Sequence, residues 1–517
     1  MGANFDNLLE PILEPSRVLP LDRQAPPASS VVSDFVQRRY ERKSPESDTR
    51  QMFQILRLGI LDGTLASGLR LPPTRQLAGE LDLARNTVVH VYEQLAAEGY
   101  VRAGVGRGTY VCDTKPIGVT PGAQARRGSL SQRGSGLSRR GVEIYGQAGA
   151  SRQQWGAFVP GVPDVTEFPH AVWGRIARSL WRRPPPELLT YSVGPGHRPL
   201  REALVHYLRS AQGVQCEPDQ LIITTGTHQS LHLLAHLLGD PGDIAWFEEP
   251  GYWGARSVLC ATGIDCRPIS VDDEGMNPQP EHLQPPPRFI FVSPSHQYPL
   301  GSVMSLARRR QLLEYARITG AWIIEDDYDS EFRYGGRPLS SLQGLDTNEQ
   351  VFYLGTLSKI VYPGLRVGYM VVPRDMVESF TVALADLYRE GQLATQSVLA
   401  TFIEDGHFTS HIRRMRGIYG ARRAKLIEAI GSQFGDRLEV IGSDAGLHLV
   451  LALPPQVDDR ALVSRAMEEG IATRPLSIYY KDRQNARSGL LLGYACVREQ
   501  DIPGKFAQLA QVIRNAL

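Results

Sequence analysis

Residues 321–334, AWIIEDDYDSEFRY, and residues 351–373, VFYLGTLSKIVYPGLRVGYMVVP, decide how the chain is read. The first is a short apolar run that ends in consecutive carboxylates. The second brackets a polar segment holding Thr356, Ser358, Lys359 and Arg366 between two apolar runs. Runs of this length, rich in β-branched and aromatic residues, predict buried strands. LIITTG (221–226), IAWFEEP (244–250) and FIFVSP (289–294) have the same character, and helical patterns separate them. Alternation of this kind over residues 151–517 predicts an α/β domain: a mostly parallel sheet with helices on both faces. Ligands collect at the carboxyl ends of the strands in such sheets.

The preceding segment follows a different pattern. In SPESDTRQMFQILRLGILDG (44–63), Phe53, Leu56 and Ile60 recur at helical spacing and Gly63 supplies a stop. LRLPPTRQLAGELDLARNTVVHVYEQLAAEGY (69–100) divides at LDLA into one helix after Pro73 and another from about Arg85 to Glu98, ended by Gly99. VRAGVGRGTYV (101–111) reads as two strands around a Gly-rich turn. Three helices and a hairpin form a winged helix-turn-helix. Arg85, Asn86 and Thr87 would then face base edges of double-stranded DNA, Arg75 would reach a backbone phosphate and Arg107 would tip the wing.

This segment resembles the GntR-type winged helix. Gly63, Leu65, Gly68, Arg70, Leu71, Pro72, Arg75, Leu77 and Ala78 match its first part, Arg85, Thr87, Val88, Tyr92, Leu95, Glu98, Gly99 and Tyr100 its second, and Gly106, Gly108, Thr109, Tyr110 and Val111 its third. Ala84 departs from it, because a small hydroxyl residue often precedes the arginine.

The expected boundaries are an N-terminal extension over 1–45, the DNA-binding domain over 46–114, a basic flexible linker over 115–150 and the α/β domain over 151–517. The linker reading rests on Gly, Ser and Pro content with Lys115, Arg126, Arg127, Arg133, Arg139 and Arg140. A net charge of +1 hides this local bias. The composition, 42% hydrophobic and 21% charged, is that of a soluble globular protein, without an apolar run of about 20 residues for a membrane span. The N-terminal sequence lacks a secretory pattern, so a cytoplasmic location is expected. The five scattered cysteines are expected to be reduced, and no metal-ligand spacing is seen.

Pyridoxal 5'-phosphate requires a lysine for its Schiff base, an acid at the pyridine nitrogen, a donor to the phenolic oxygen, a stacking aromatic and a phosphate cup. Lys359, Asp326, Tyr328 and Tyr252 are the candidates for the first four. The cup would draw on Gly226, Thr227 and His228 at a helix start, with Thr356 and Arg366.

Their order and spacing resemble the fold type I, aspartate aminotransferase-like family over roughly residues 155–517. The tandem with a GntR-type domain is similar to the MocR subfamily of transcriptional regulators. That resemblance implies a homodimer in which Tyr191 reaches the neighbouring subunit's phosphate, and a small amine or amino-acid effector. Two departures matter. Tyr298-Pro299-Leu300-Gly301 stands where many relatives carry N-P-T-G, and LLLGYACV lacks the usual carboxylate-binding arginine. Arg474 or Arg256 could substitute for that arginine. The expected function is a DNA-binding regulator in which an amine or amino-acid effector, or pyridoxal phosphate itself, engages the Lys359 Schiff base and shifts DNA binding, and the alternative is an aminotransferase with an appended DNA-binding domain.

Overall fold

The structure, a computed structural model, describes residues 28–42, 44–104, 108–114, 136–146, 153–192, 194–335, 340–389, 391–442 and 444–517. The chain separates into two compact units, residues 1–134 and 135–517.

In the N-terminal unit the helical periodicities become α1 (Ala28–Gln37), α2 (Asp48–Leu61), α3 (Thr74–Leu81) and α4 (Arg85–Ala97). The antiparallel hairpin of β1 (Val101–Gly104) and β2 (Gly108–Val111) follows. Met52, Leu56, Leu77, Val88 and Leu95 share one core with Val101 and Val111. The buried Tyr92 hydroxyl donates to the Pro72 carbonyl at 2.9 Å, which ties the turn before α3 to the middle of α4. Gly99 takes a φ of +79° just past the end of α4, the left-handed conformation that a helix terminus asks of glycine.

Helix α1 lies inside the stretch read as an extension. Val32, Phe35 and Val36 join the same core. Gly59 of α2 makes room for them, since a Cβ there would lie 2.6 Å from the Phe35 ring. Docking on a neighbour, rather than local periodicity alone, accounts for this helix.

The C-terminal unit begins with α5 (Arg139–Gly146), so part of the expected 115–150 linker is helical. It continues through α6 (His170–Arg182), α7 (Arg198–Ala211), β3 (Leu221–Thr224), α8 (Thr227–Leu238), β4 (Ile244–Glu249) and α9 (Trp253–Ala261). Next come β5 (Asp265–Asp272), β6 (Gly275–Met276), β7 (Phe289–Val292), α10 (Leu306–Thr319), β8 (Trp322–Asp327), β9 (Val351–Thr356) and β10 (Gly368–Val371). These strands form one eight-stranded sheet in the order β3-β10-β9-β8-β7-β4-β5-β6. The pairings from β9 through β8, β7 and β4 to β5 are parallel, whereas β10 runs antiparallel to both its neighbours and β6 antiparallel to β5.

Side chains alternate between the faces. On β4, Ala245 and Phe247 pack in a core with residues of α8 and α9, while Trp246 packs in another with residues of α10. The chain then passes through α11 (Val377–Tyr388), α12 (Leu393–Glu404) and the long α13 (His407–Phe434) into β11 (Val440–Ile441), β12 (His448–Ala452), α14 (Asp459–Glu468), β13 (Arg474–Pro475), β14 (Gly489–Gly493) and α15 (Ile502–Arg514). The last strands form an antiparallel sheet ordered β11-β12-β14-β13.

All five cysteines are free thiols, although Cys260 and Cys266 approach to 3.0 Å between sulfurs. Among the described residues no helix is long and apolar enough to cross a membrane, and no cluster of side chains could hold a metal ion.

Candidate functional site

A cavity of about 490 Å³ opens where β8 and β9 end and α8 and α9 begin. Gly226, Thr227, His228, Tyr252, Asp326, Tyr328, Thr356, Lys359, Arg366 and Arg474 all line it, so residues spread over some 250 positions converge there.

Lys359 Nζ donates to the Gly161 carbonyl at 2.6 Å. Burial lowers its pKa, opposed by the negative charges of Asp329 and Asp326, which favours the neutral, nucleophilic amine. Asp326 is pushed up to about 7 by burial and then by the neighbouring Asp327, with Lys359 and a hydrogen bond from Thr227 acting against the rise. Its Oδ1 is buried and has no hydrogen-bond partner among the described residues. A buried acceptor in that state costs free energy until a donor meets it.

Tyr328 lies two residues beyond. Its hydroxyl is 2.9 Å from His296 Nδ1, and the same nitrogen is 2.9 Å from Asp329 Oδ1. His296 and Asp329 are both almost wholly buried. The phenol therefore belongs to a chain of groups running behind the cavity. Burial and Asp329 hold Tyr328 well above the ordinary phenol pKa, so it stays a donor.

The other end of the cavity is built for an anion. Helix α8 starts at Gly226, whose φ is +130°. A Cβ at Gly226 would lie 3.7 Å from Arg366 Nη2, so the guanidinium covers the helix start. First-turn amides and a guanidinium together form a phosphate cup. Thr356 Oγ1 accepts from the Ser358 amide at 3.2 Å on the cup's other side. The Tyr252 hydroxyl meets His228 Nε2 at 2.9 Å, which orients the ring expected to stack. A pyridine nitrogen would meet Asp326 Oδ1 and a phosphate would meet the Gly226–Arg366 end, so this donor and acceptor set fits pyridoxal phosphate.

Two of the expected residues lie elsewhere. Arg256, on the second turn of α9, lines a separate small crevice with Glu249 and Lys481 and does not reach the cavity. Tyr191 is 85% exposed and does not line the cavity of its own chain. Arg474 does line it, with Nη1 donating to the Thr473 carbonyl at 3.1 Å and Nη2 to the Gln153 carbonyl at 2.6 Å. Sequence reasoning missed His296, Ser358, Trp253 and Tyr479. The Tyr479 hydroxyl reaches the Tyr298 hydroxyl at 2.9 Å. The run SHQ just before Tyr298 was the available signal for His296, but its partner lies 32 residues away.

In the N-terminal unit Arg85 and Asn86 are exposed at the start of α4, Thr87 is half-buried, and Arg75 is exposed on the first turn of α3. Ala84 supplies no side-chain cap, and the Thr87 amide bonds the Ala84 carbonyl at 3.0 Å. Arg107 and the linker residues 115–135 lie outside the described residues.

Comparison with known proteins gives two family matches: "Aminotransferase class I and II" over residues 171–498 and "Bacterial regulatory proteins, gntR family" over residues 49–111. The chain is 38% identical to the "Probable rhizopine catabolism regulatory protein MocR" of Rhizobium meliloti, covering 86% of this chain and 90% of that one. It is 30% identical to the HTH-type transcriptional regulator TauR of Rhodobacter capsulatus, over 89% and 95%. Among solved structures, the kynurenine aminotransferase of Pyrococcus horikoshii matches 74% of this chain and 97% of its own, with a TM-score of 0.66 at 26% identity.

Proposed function

This chain belongs to the MocR subfamily of GntR-type transcriptional regulators, and on that premise we propose that it is a pyridoxal phosphate-dependent, DNA-binding regulator controlled by an amine or amino-acid effector. The observation that carries the reading is the meeting of Lys359, the unpartnered Asp326 Oδ1 and the Arg366-covered start of α8 in one cavity. Pyridoxal phosphate bound there supplies an aldehyde that amines can exchange onto and an electron-poor ring.

The chain's own groups divide the work. Lys359 would hold the cofactor covalently, and an effector amine would compete with it for the aldehyde. Asp326 keeps the ring nitrogen protonated, Tyr328 donates to the phenolic oxygen, and Tyr252 stacks on the ring. Gly226, Thr227, His228, Thr356 and Arg366 receive the phosphate, and Tyr191 adds to the phosphate site of a second subunit in a homodimer. Arg474 is the arm for an effector carboxylate, since β14 reads Gly-Leu-Leu-Leu-Gly and is wholly buried. Arg85, Asn86 and Thr87 read the operator in the cytoplasm, with Arg75 and Arg107 on phosphates. The effector shifts DNA binding only by its differential affinity for two states.

Two variants separate the halves. Lys359→Ala should lose the absorbance of the lysine-bound cofactor and the effector response while keeping operator affinity. Arg85→Glu should abolish operator binding and leave the absorbance intact. Unchanged absorbance in Lys359→Ala would end the cofactor reading, and retained operator binding in Arg85→Glu would end the recognition-helix reading.

A further inference from the structure

The C-terminal unit holds another cavity of about 240 Å³, separate from the cofactor cavity. Helix α7 bounds it with Tyr207 and Gln212, the loops after β7 and β8 with Ser295, Ser330 and Arg333, and α13 with Arg416. The volume is several times the roughly 30 Å³ that one water occupies, so a small molecule fits.

The wall is rich in donors and in positive charge. Arg416 Nε donates to the Glu331 carbonyl at 2.9 Å, which fixes that guanidinium against the wall. Arg333 Nε is buried and has no hydrogen-bond partner among the described residues. Among the described residues the one acid in the lining is Glu331, which accepts from the Tyr207 hydroxyl at 3.0 Å and from Gln212 Nε2 at 3.4 Å. Burial, followed by the nearby Asp327, raises Glu331 to about 8, so near neutral pH it does not cancel the arginines. Two guanidiniums facing a cavity whose single carboxyl among the described lining residues is pushed toward its neutral form select a negatively charged guest.

We propose that this cavity is a second ligand site, taking a small oxyanion, a carboxylate or a phosphate group, held by Arg333 and Arg416. The site is wired to the first. Ser330 Oγ donates to Asp327 Oδ2 at 2.8 Å, and Asp327 adjoins Asp326. Ser295 directly precedes His296, which contacts the Tyr328 hydroxyl. An anion against Arg333 therefore changes the field on the groups that face the cofactor.

The test titrates holoprotein with inorganic phosphate and, separately, with succinate, using chloride to hold ionic strength constant. Heat of binding and cofactor absorbance are followed together. Because the cofactor fills the Arg366 cup, phosphate cannot report on that site. The expected result is saturable binding of at least one probe, weakened about tenfold or more by Arg333→Gln and by Arg416→Gln, and unchanged by Arg474→Gln, which reports on the cofactor cavity. Saturation by phosphate marks a phosphate site, and saturation by succinate alone marks a carboxylate site. Ser210→Phe, which fills the cavity from the exposed side of α7, should block binding and keeps the test decisive if an arginine variant does not fold. Absence of saturation with both probes overturns the proposal. So does binding that survives the arginine variants and Ser210→Phe.

Discussion

Asp326, at about 7, shares its interior with other acids held above their ordinary range, Glu325 at about 7 and Glu248 and Glu331 at about 8, burial being the main cause in each. A carboxyl whose folded-state pKa is raised binds its proton more tightly when folded. The stability it contributes is complete below the unfolded pKa and is lost as pH rises through the folded one. The cofactor-free protein should therefore melt at progressively lower temperature from about pH 5 to pH 8. Asp326→Asn should flatten part of that slope, and added cofactor should flatten the same part, because a protonated ring nitrogen lets Asp326 ionise. A melting temperature independent of pH across that window would show that these acids are not held neutral. Asp326, Lys359 and Arg366 could be singled out from the sequence because that chemistry asks for those residue types in that chain order, and the three line one cavity. His296 was not, because its role arises from contacts through space with Tyr328 and Asp329. Arg256 faces the crevice with Glu249 and Lys481 rather than the cavity, and which side of α9 a residue presents is not written in the residues around it.

Among the elements, α2, α3 and α4 could be drawn from the sequence because apolar periodicity and Gly or Pro punctuation act locally. Helix α1 could not. Its apolar stripe is short, and it becomes a helix by packing Phe35 against the bare backbone of Gly59. In an exposed helix, Gly→Ala would stabilise by about 1 kcal/mol. Here Gly59→Ala should destabilise the N-terminal unit instead, because the methyl group must displace the Phe35 ring, and Phe35→Ala in the same chain should reverse the sign. Denaturant melts of the single and double variants measure that coupling, and equal effects of Gly59→Ala with and without Phe35 would remove α1 from the folded unit. The strands β3, β4, β7, β8, β9 and β10 were legible as apolar runs, each buried on both faces. Strands β11 and β13 have two residues each, too few to show a period.

At the scale of the molecule, the two units have their own hydrophobic cores, so each can melt on its own terms. Calorimetry should resolve two transitions. Pyridoxal phosphate at a hundredfold excess over its dissociation constant should add about 2.7 kcal/mol to the one belonging to residues 135–517 and leave the other in place. A single transition that moves as a whole would mean that the units fold cooperatively. The antiparallel pairing of β9 with β10 carries one further implication. The segment joining them bears both Lys359 and Arg366, so on the proposed reading a single short loop would hold the cofactor at its aldehyde end and at its phosphate end. Release at Lys359 would leave the contact at Arg366 in place. An effector that took the place of Lys359 would therefore not have to cost the protein its cofactor.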